Sequence, residues 1–400
     1  MVTDLIKILF IFVSFLFLIR QKVAIGHVML ISSGALFLLY GMGPSRLVDA
    51  VGKAFFSDIT IKLLLSLSLI RIFELILREQ NVLSSMMATV KNAFASKKAV
   101  MISMPMLIGM LPSLGGAYFS APMVKEATDD IQMSQEEKAF INYWFRHPWE
   151  YMLPLYPGIV FASAVSAIPL SSLVIANAVY AVAMIVTGFI FSMRHIENGS
   201  AAEQGEAGKA EERQWSSFLP LMAILILVLG MKMELHYSLI IVLVPLFIFY
   251  RYGLPNLFRV LKYGFSIDVI VMIAGIVLFK EMMEASGAVA NVSRFLVEHG
   301  IPSLPIFCLL PFIAGLLTGH TIGFVGSTFP LLLSIADHAS LSLISFAFAS
   351  GLLGVLLSPV HLCLVLSREY FRADLSGVYR KTIPASIIVF GVAVVRYLLF

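Results

Sequence analysis

Ala99-Val-Met-Ile-Ser-Met-Pro-Met-Leu-Ile-Gly-Met-Leu-Pro112-Ser-Leu-Gly115-Gly116-Ala-Tyr-Phe-Ser120-Ala-Pro122-Met-Val124 is apolar enough to lie in lipid, yet its middle interrupts helices. Pro112 lacks an amide donor, and Gly115 and Gly116 favour non-helical backbone. At membrane depth such backbone persists only when it is buried in protein or lines a wet cavity. The stretch therefore predicts two half-helices that meet at Ser113 to Gly116 and fold back as a hairpin. A single proline-kinked span, packed through Gly and Ser, is the alternative. A hairpin tip of this kind exposes helix N-terminal amides, which suit anions, and free carbonyls, which suit Na+.

A second stretch of the same kind lies about 206 residues on: Ala314-Gly315-Leu-Leu-Thr318-Gly319-His320-Thr321-Ile-Gly323-Phe-Val-Gly326-Ser327-Thr328-Phe-Pro330. It holds more polar residues than close packing needs. His320 is ionisable in an apolar run, which makes it a candidate for substrate or proton contact. The halves match elsewhere at nearly the same offset. Phe73 to Leu83 aligns with Phe279 to Val289, Pro154 with Pro359, and Leu170-Ser171 with Leu375-Ser376. This spacing is far too long for a helical solenoid and suits a duplicated transporter half.

Composition sets the solvent. Of 400 residues 59% are hydrophobic and 13% charged, and the formal net charge is only +4. So few charges cannot cover a soluble domain of this size. An ordinary soluble enzyme and a nucleic-acid binder are excluded. HExxH, Walker-type, GxSxG and CxxC motifs are absent. Cys308 and Cys363 are too few for a disulfide framework or a structural zinc site. The expected fold is an all-α polytopic membrane protein of about ten transmembrane helices plus two re-entrant hairpins. It has a first repeat over 1–193, a polar linker over 194–214 and a second repeat over 215–400.

Basic residues orient the spans. The loop 78–98 holds Arg78, Lys91, Lys97 and Lys98, whereas its counterpart 284–302 holds Arg294. The turn 166–171 holds none, whereas 368–381 holds Arg368, Arg372, Arg380 and Lys381. Opposite bias in matching loops is what inverted repeats require. The expected setting is the cell membrane, with both termini outside and the linker cytoplasmic.

Two spans are broken. Phe140-Ile-Asn142-Tyr-Trp-Phe-Arg146-His147-Pro148-Trp149-Glu150 runs into Pro154-Leu-Tyr-Pro157-Gly158. Arg146 suits an anion, and His147 or Glu150 a proton. An interfacial Arg146–Glu150 pair, four residues apart, is the structural alternative. The matching break is Ser358-Pro359-Val-His361-Leu-Cys363. Elsewhere, Arg71 with Glu74, and Lys280 with Glu281 or Glu284, are expected to form local pairs, because unpaired charges are costly in lipid.

The runs Ile108 to Val124, Phe140 to Glu150, Pro154 to Gly158 and Ser358 to Cys363 resemble a prokaryotic integral-membrane family catalogued as domain of unknown function 401. The resemblance covers essentially the whole chain. That family looks like a branch of the ion transporter superfamily, whose better-known branches carry gluconate, citrate, dicarboxylates, lactate or arsenite. The resemblance implies inverted repeats, two re-entrant hairpins, a midplane site, Na+ or H+ coupling and often a homodimer. The dicarboxylate branch marks its tips with Ser-Asn-Thr. Here the tips read Pro112-Ser-Leu-Gly-Gly116 and Thr318-Gly-His-Thr321, which argues against a dicarboxylate and against that branch's Na+ sites.

The expected function is secondary transport of a small organic anion by alternating access, without an organic cofactor or a metal. The expected site joins Pro112, Ser113, Gly115, Gly116 and Ser120 of the first hairpin to Asn142, Arg146, His147 and Glu150 of the first break. The second half adds Thr318, Gly319, His320, Thr321, Ser327 and Thr328 from the hairpin, and Ser358, Pro359 and His361 from the break. The rivals are an intramembrane enzyme, which would need Ser113 or Ser327 within reach of a histidine, and an ion channel.

Overall fold

The computed structural model describes residues 2–21, 23–94, 96–112, 116–128, 131–193, 215–287, 291, 299, 302–335 and 340–400. The 194–214 linker and the tip residues Ser113 and Gly115 lie outside these. Among the described residues the chain is helical throughout. The first half contains α1 (Val2–Arg20), α2 (Ile25–Leu39), α3 (Pro44–Phe56), α4 (Asp58–Glu79), α5 (Val82–Ala93), α6 (Lys97–Gly109) and α7 (Gly116–Thr128). It continues with α8 (Gln135–Trp144), α9 (Pro148–Met152), α10 (Pro157–Ser166) and α11 (Leu170–Ser192). The second half contains α12 (Trp215–Gly230), α13 (Leu235–Phe249), α14 (Leu254–Gly264), α15 (Ile267–Ser286) and α16 (Ser303–Thr318). It ends with α17 (Thr321–Ile335), α18 (Leu341–Leu356), α19 (Leu362–Phe371) and α20 (Leu375–Leu399).

Local chemistry sets the boundaries. Ser134 and Glu137 form a reciprocal capping box at the start of α8. Ser57, Ser340 and Asp374 cap α4, α18 and α20 with their side-chain oxygens. Pro44 and Pro255 stand in the first turns of α3 and α14, where a missing amide costs nothing. These two short helices are amphipathic and carry Arg46, Lys53, Arg259 and Lys262, as suits a helix lying at an interface.

Both Gly-rich stretches are helical hairpins. α6 packs along α7, and α16 along α17. Gly319 turns the second hairpin with φ +65°, a conformation that needs its missing Cβ. Both broken spans are also present. Residues 145–147 and 153–156 interrupt α8, α9 and α10, and residues 357–361 separate α18 from α19. Helices beginning at Lys97, Gly116, Gln135, Pro157 and Leu170 have counterparts beginning at Ser303, Thr321, Leu341, Leu362 and Leu375, 205 or 206 residues on.

The two halves share one apolar core, from Ile8 to Ala393. Their packing crosses over. α2 and α3 lie on α15, while α13 and α14 lie on α4. α7 meets α19 and α17 meets α10, while α8 meets α20 and α11 meets α18. α16 and α18 approach backbone to backbone, because a Cβ on Gly315 or Gly354 would strike the carbonyl of Gly351 or Phe312.

Three described helical stretches are long and apolar enough to cross a membrane: Leu170–Ser192, Leu254–Ser286 and Leu375–Leu399. Others are apolar but shorter, such as Ile25–Leu39 and Leu235–Phe249. The surface carries large exposed apolar side chains, among them Phe10 and Phe17 on α1, Ile175, Val182 and Ile190 on α11, and Ile240 and Ile248 on α13. Apolar exposure on this scale fits contact with lipid.

The ion-pair expectations divide. Lys280 meets Glu284 at 2.9 Å and Glu281 at 3.3 Å, as expected. Arg71 does not pair with Glu74. Its guanidinium donates to Ser266 Oγ at 2.9 Å and lies over the Tyr263 ring, while Glu74 stands 3.9 Å from Arg78. Packing of α15 onto α4 offers Arg71 a neutral partner, which periodicity along one helix cannot reveal.

Candidate functional site

Residues of both hairpins and both breaks line a cavity of about 140 Å³: Pro112, Arg146, Glu150, Tyr156, Pro157, His320, Thr321, His361, Leu362 and Cys363. Arg146 and His361 are buried at its floor, while His320 and Leu362 are exposed at its mouth. Three helices start on this wall: α10 at Pro157, α17 at Thr321 and α19 at Leu362. The first amides of a helix have no partner within it, and its N-terminus carries a partial positive charge. Arg146 adds a full charge. The cavity thus gathers positive potential around Glu150.

Glycine makes room for Arg146. A Cβ at Gly116 would fall on the guanidinium, and one at Gly109 would strike the Arg146 carbonyl. The first hairpin therefore closes directly over this side chain. Gly158 similarly admits Thr321, whose hydroxyl faces Glu150.

Aromatic donors hold the hairpins to the breaks. The last carbonyls of a helix have no partner within it. Trp149 Nε1 donates to Met106 O at 2.7 Å, and Tyr156 OH donates to Gly109 O, both near the end of α6. Tyr143 OH donates to Leu356 O at 2.7 Å, and Tyr379 OH to Leu357 O at 3.0 Å, both where α18 ends. Each half supplies donors to the other's open backbone or to its own.

The two histidines of the breaks meet. His147 Nδ1 lies 2.6 Å from Tyr143 O, and His361 Nδ1 lies 2.8 Å from Gly319 O. Their Nε2 atoms stand 2.9 Å apart. Glu150 Oε1 lies 3.6 Å from His147 Nε2. The Cys363 sulfur and one ring nitrogen of each histidine lie within 4.8 Å of one another, the kind of grouping that can hold a soft metal ion. The nitrogen spacing argues against tetrahedral zinc, whose ligands at 2.0–2.1 Å stand about 3.3 Å apart.

The expected site residues separate into three groups. Pro112, Arg146, Glu150, His320, Thr321 and His361 line the cavity, with Gly116, His147 and Gly319 packed directly behind them. Ser120, Asn142, Ser327, Thr328 and Pro359 are not part of its wall. Asn142 accepts from Ser120 Oγ at 2.6 Å and donates to Ala117 O at 3.0 Å and Ser367 Oγ at 2.8 Å, which ties α7, α8 and α19 together. Ser327 and Thr328 hydroxyls return to carbonyls of their own helix, at 2.7 Å from Gly323 O and Phe324 O. Pro359 is exposed. Thr318 and Ser358 order the turns beside His320 and His361. Ser113 and Gly115 lie outside the described residues. Sequence reasoning missed Tyr156, Pro157, Leu362 and Cys363 as wall residues. Their signal was position alone, since each sits within or just after a break.

The fold and this site define a protein that is all-helical among the described residues, with helices apolar enough for a membrane and a cavity lined by ionisable groups at crossed helix breaks. The chain belongs to the family described as Protein of unknown function (DUF401), whose profile matches residues 3–399. No functionally curated protein matches it.

Proposed function

We propose that this protein is a secondary transporter of a small organic anion, placed in a cell membrane and working by alternating access. The convergence of three helix N-termini with the buried Arg146 guanidinium on one cavity carries this reading. A cavity of about 140 Å³ suits an anion of few heavy atoms, such as a short monocarboxylate. Helix starts at a constant offset, and cross-half contacts that occur in mirrored pairs, support two inverted repeats with re-entrant hairpins. About ten spans, outside termini and a cytoplasmic linker follow from the basic-residue bias. A homodimer is part of the same reading.

An intramembrane hydrolase is less well supported. Ser327 is bonded back into α17, and no histidine contacts it among the described residues. A channel is separated by saturable counterflow. The direct test is a thermal-shift screen of the purified protein against small carboxylates at varied pH and Na+. A ligand at 100 times its Kd stabilises the folded state by about 2.7 kcal/mol. Stabilisation by a compact carboxylate, absent in Arg146→Ala, supports the reading. Equal stabilisation of both proteins would overturn the site.

A further inference from the structure

We propose that His147 and His361 form a single proton-binding site that clamps the two halves of the protein together. A carbonyl oxygen only accepts. His147 Nδ1 faces Tyr143 O and His361 Nδ1 faces Gly319 O, so both Nδ1 atoms carry a proton. In two neutral rings, both Nε2 atoms are then bare lone pairs. Two lone pairs repel, yet these atoms stand 2.9 Å apart. A proton between them turns that contact into an N–H···N hydrogen bond of ordinary length. Such a bond is charge-assisted and stronger than a neutral one.

The surroundings balance the charge. Glu150, on α9, offers a carboxylate 3.6 Å from His147 Nε2. Arg146, His320 and Cys363 line the same cavity, and Cys363 is grouped with the pair. Tyr143 packs against both imidazole rings and holds Leu356 O, and Tyr379 holds Leu357 O behind the break. With Glu150 ionised, the charges of the protonated pair and the carboxylate cancel.

His147 belongs to the first break and His361 to the second. Losing the proton leaves two repelling acceptors at the junction of the halves, which favours their separation. In a transporter this makes the proton the coupling ion. That role rests on the transport reading, whereas the proton site itself does not.

The test is nitrogen NMR of histidine-labelled full-length protein, with His147→Gln and His361→Gln to assign the pair. As pH is lowered the two rings are expected to show both Nδ1 atoms protonated and one further proton shared by the Nε2 atoms. That proton is expected to leave in one step as pH rises and to be missing in either variant. The glutamine amide supplies an N–H of its own and needs no added proton. Unprotonated Nε2 atoms in both rings at every pH at which the protein stays folded would overturn the proposal. So would zinc chloride binding to the wild type but to neither variant, with the pair as ligands. Carboxylate uptake driven by Na+ and indifferent to a pH gradient would overturn the coupling role and leave transport standing. No uptake of any anion alongside a confirmed shared proton would do the reverse.

Discussion

Gly116 and Arg146 share one space: the position a Cβ would take on Gly116 is filled by the Arg146 guanidinium. The first residue of a hairpin arm is thereby fixed against the cavity-wall arginine. A methyl group at 116 must push the guanidinium aside or lift the hairpin. Gly116→Ala is expected to weaken anion binding by about 10–100-fold, the worth of one hydrogen-bonded charge at ~1.5–3 kcal/mol. Binding by thermal shift or calorimetry checks it. Addition of the same mutation to Arg146→Ala should cost little more, because both act on one group.

Trp149 and Tyr156 cover the carbonyl end of α6. Their loss leaves the half-buried Met106 oxygen and the buried Gly109 oxygen without those donors. Trp149→Phe and Tyr156→Phe are each expected to cost ~1–3 kcal/mol of stability. Denaturation in detergent measures this. Trp149 does not line the cavity, so its variant should keep its anion affinity, and Tyr156→Phe should change both.

Asn142 joins Ser120 of α7 to Ser367 of α19 across the halves. Asn142→Ala removes the partner of the Ser367 hydroxyl and the shortest contact of the Ser120 hydroxyl, whereas Ser367→Ala strands one amide hydrogen. A double-mutant cycle of Asn142 and Ser367 should give a coupling of ~0.5–3 kcal/mol. Independent effects would mean that the network does not act as a unit.

The polar junction of α8 and α20 is acid-sensitive. Glu136 accepts from the Asp374 main-chain N–H at 3.1 Å, and this holds its carboxyl below the usual value of about 4.3. A carboxyl lowered on folding stabilises the folded state above that usual value, and the contribution fades as pH falls through the lowered one. The site is mostly exposed, so the effect is small. Wild type should lose slightly more stability than Glu136→Gln between about pH 5 and 3, read by thermal melts. Gly377→Ala should have the same consequence, since its Cβ would strike the Glu136 side chain.

Much of this architecture was legible. Pro112 with Gly116, and Gly319 with its neighbours, marked turns because their backbones cannot continue a buried helix cheaply. Pro148, Pro154, Pro157 and Pro359 marked the breaks for the same reason. The cavity wall was half legible, because Arg146, Glu150, His320 and His361 are ionisable groups in apolar runs. Ser120, Asn142, Ser327 and Thr328 lie outside that wall. A hydroxyl or amide can satisfy itself on its own helix or a neighbour, and a sequence does not show which. Tyr156 and Cys363 carried no chemical signal of their own. The meeting of His147 with His361 depends on crossed packing between segments 214 residues apart, which no local pattern encodes.

Transport itself is tested most directly in liposomes holding the purified protein, with an imposed inward proton gradient and labelled acetate, lactate and other short carboxylates outside. The wild type is expected to accumulate at least one of them in a saturable way, and a protonophore should abolish the accumulation. Arg146→Ala and His320→Ala, folded and incorporated to the same level, should match protein-free vesicles. Accumulation by both variants at the wild-type rate would contradict the account.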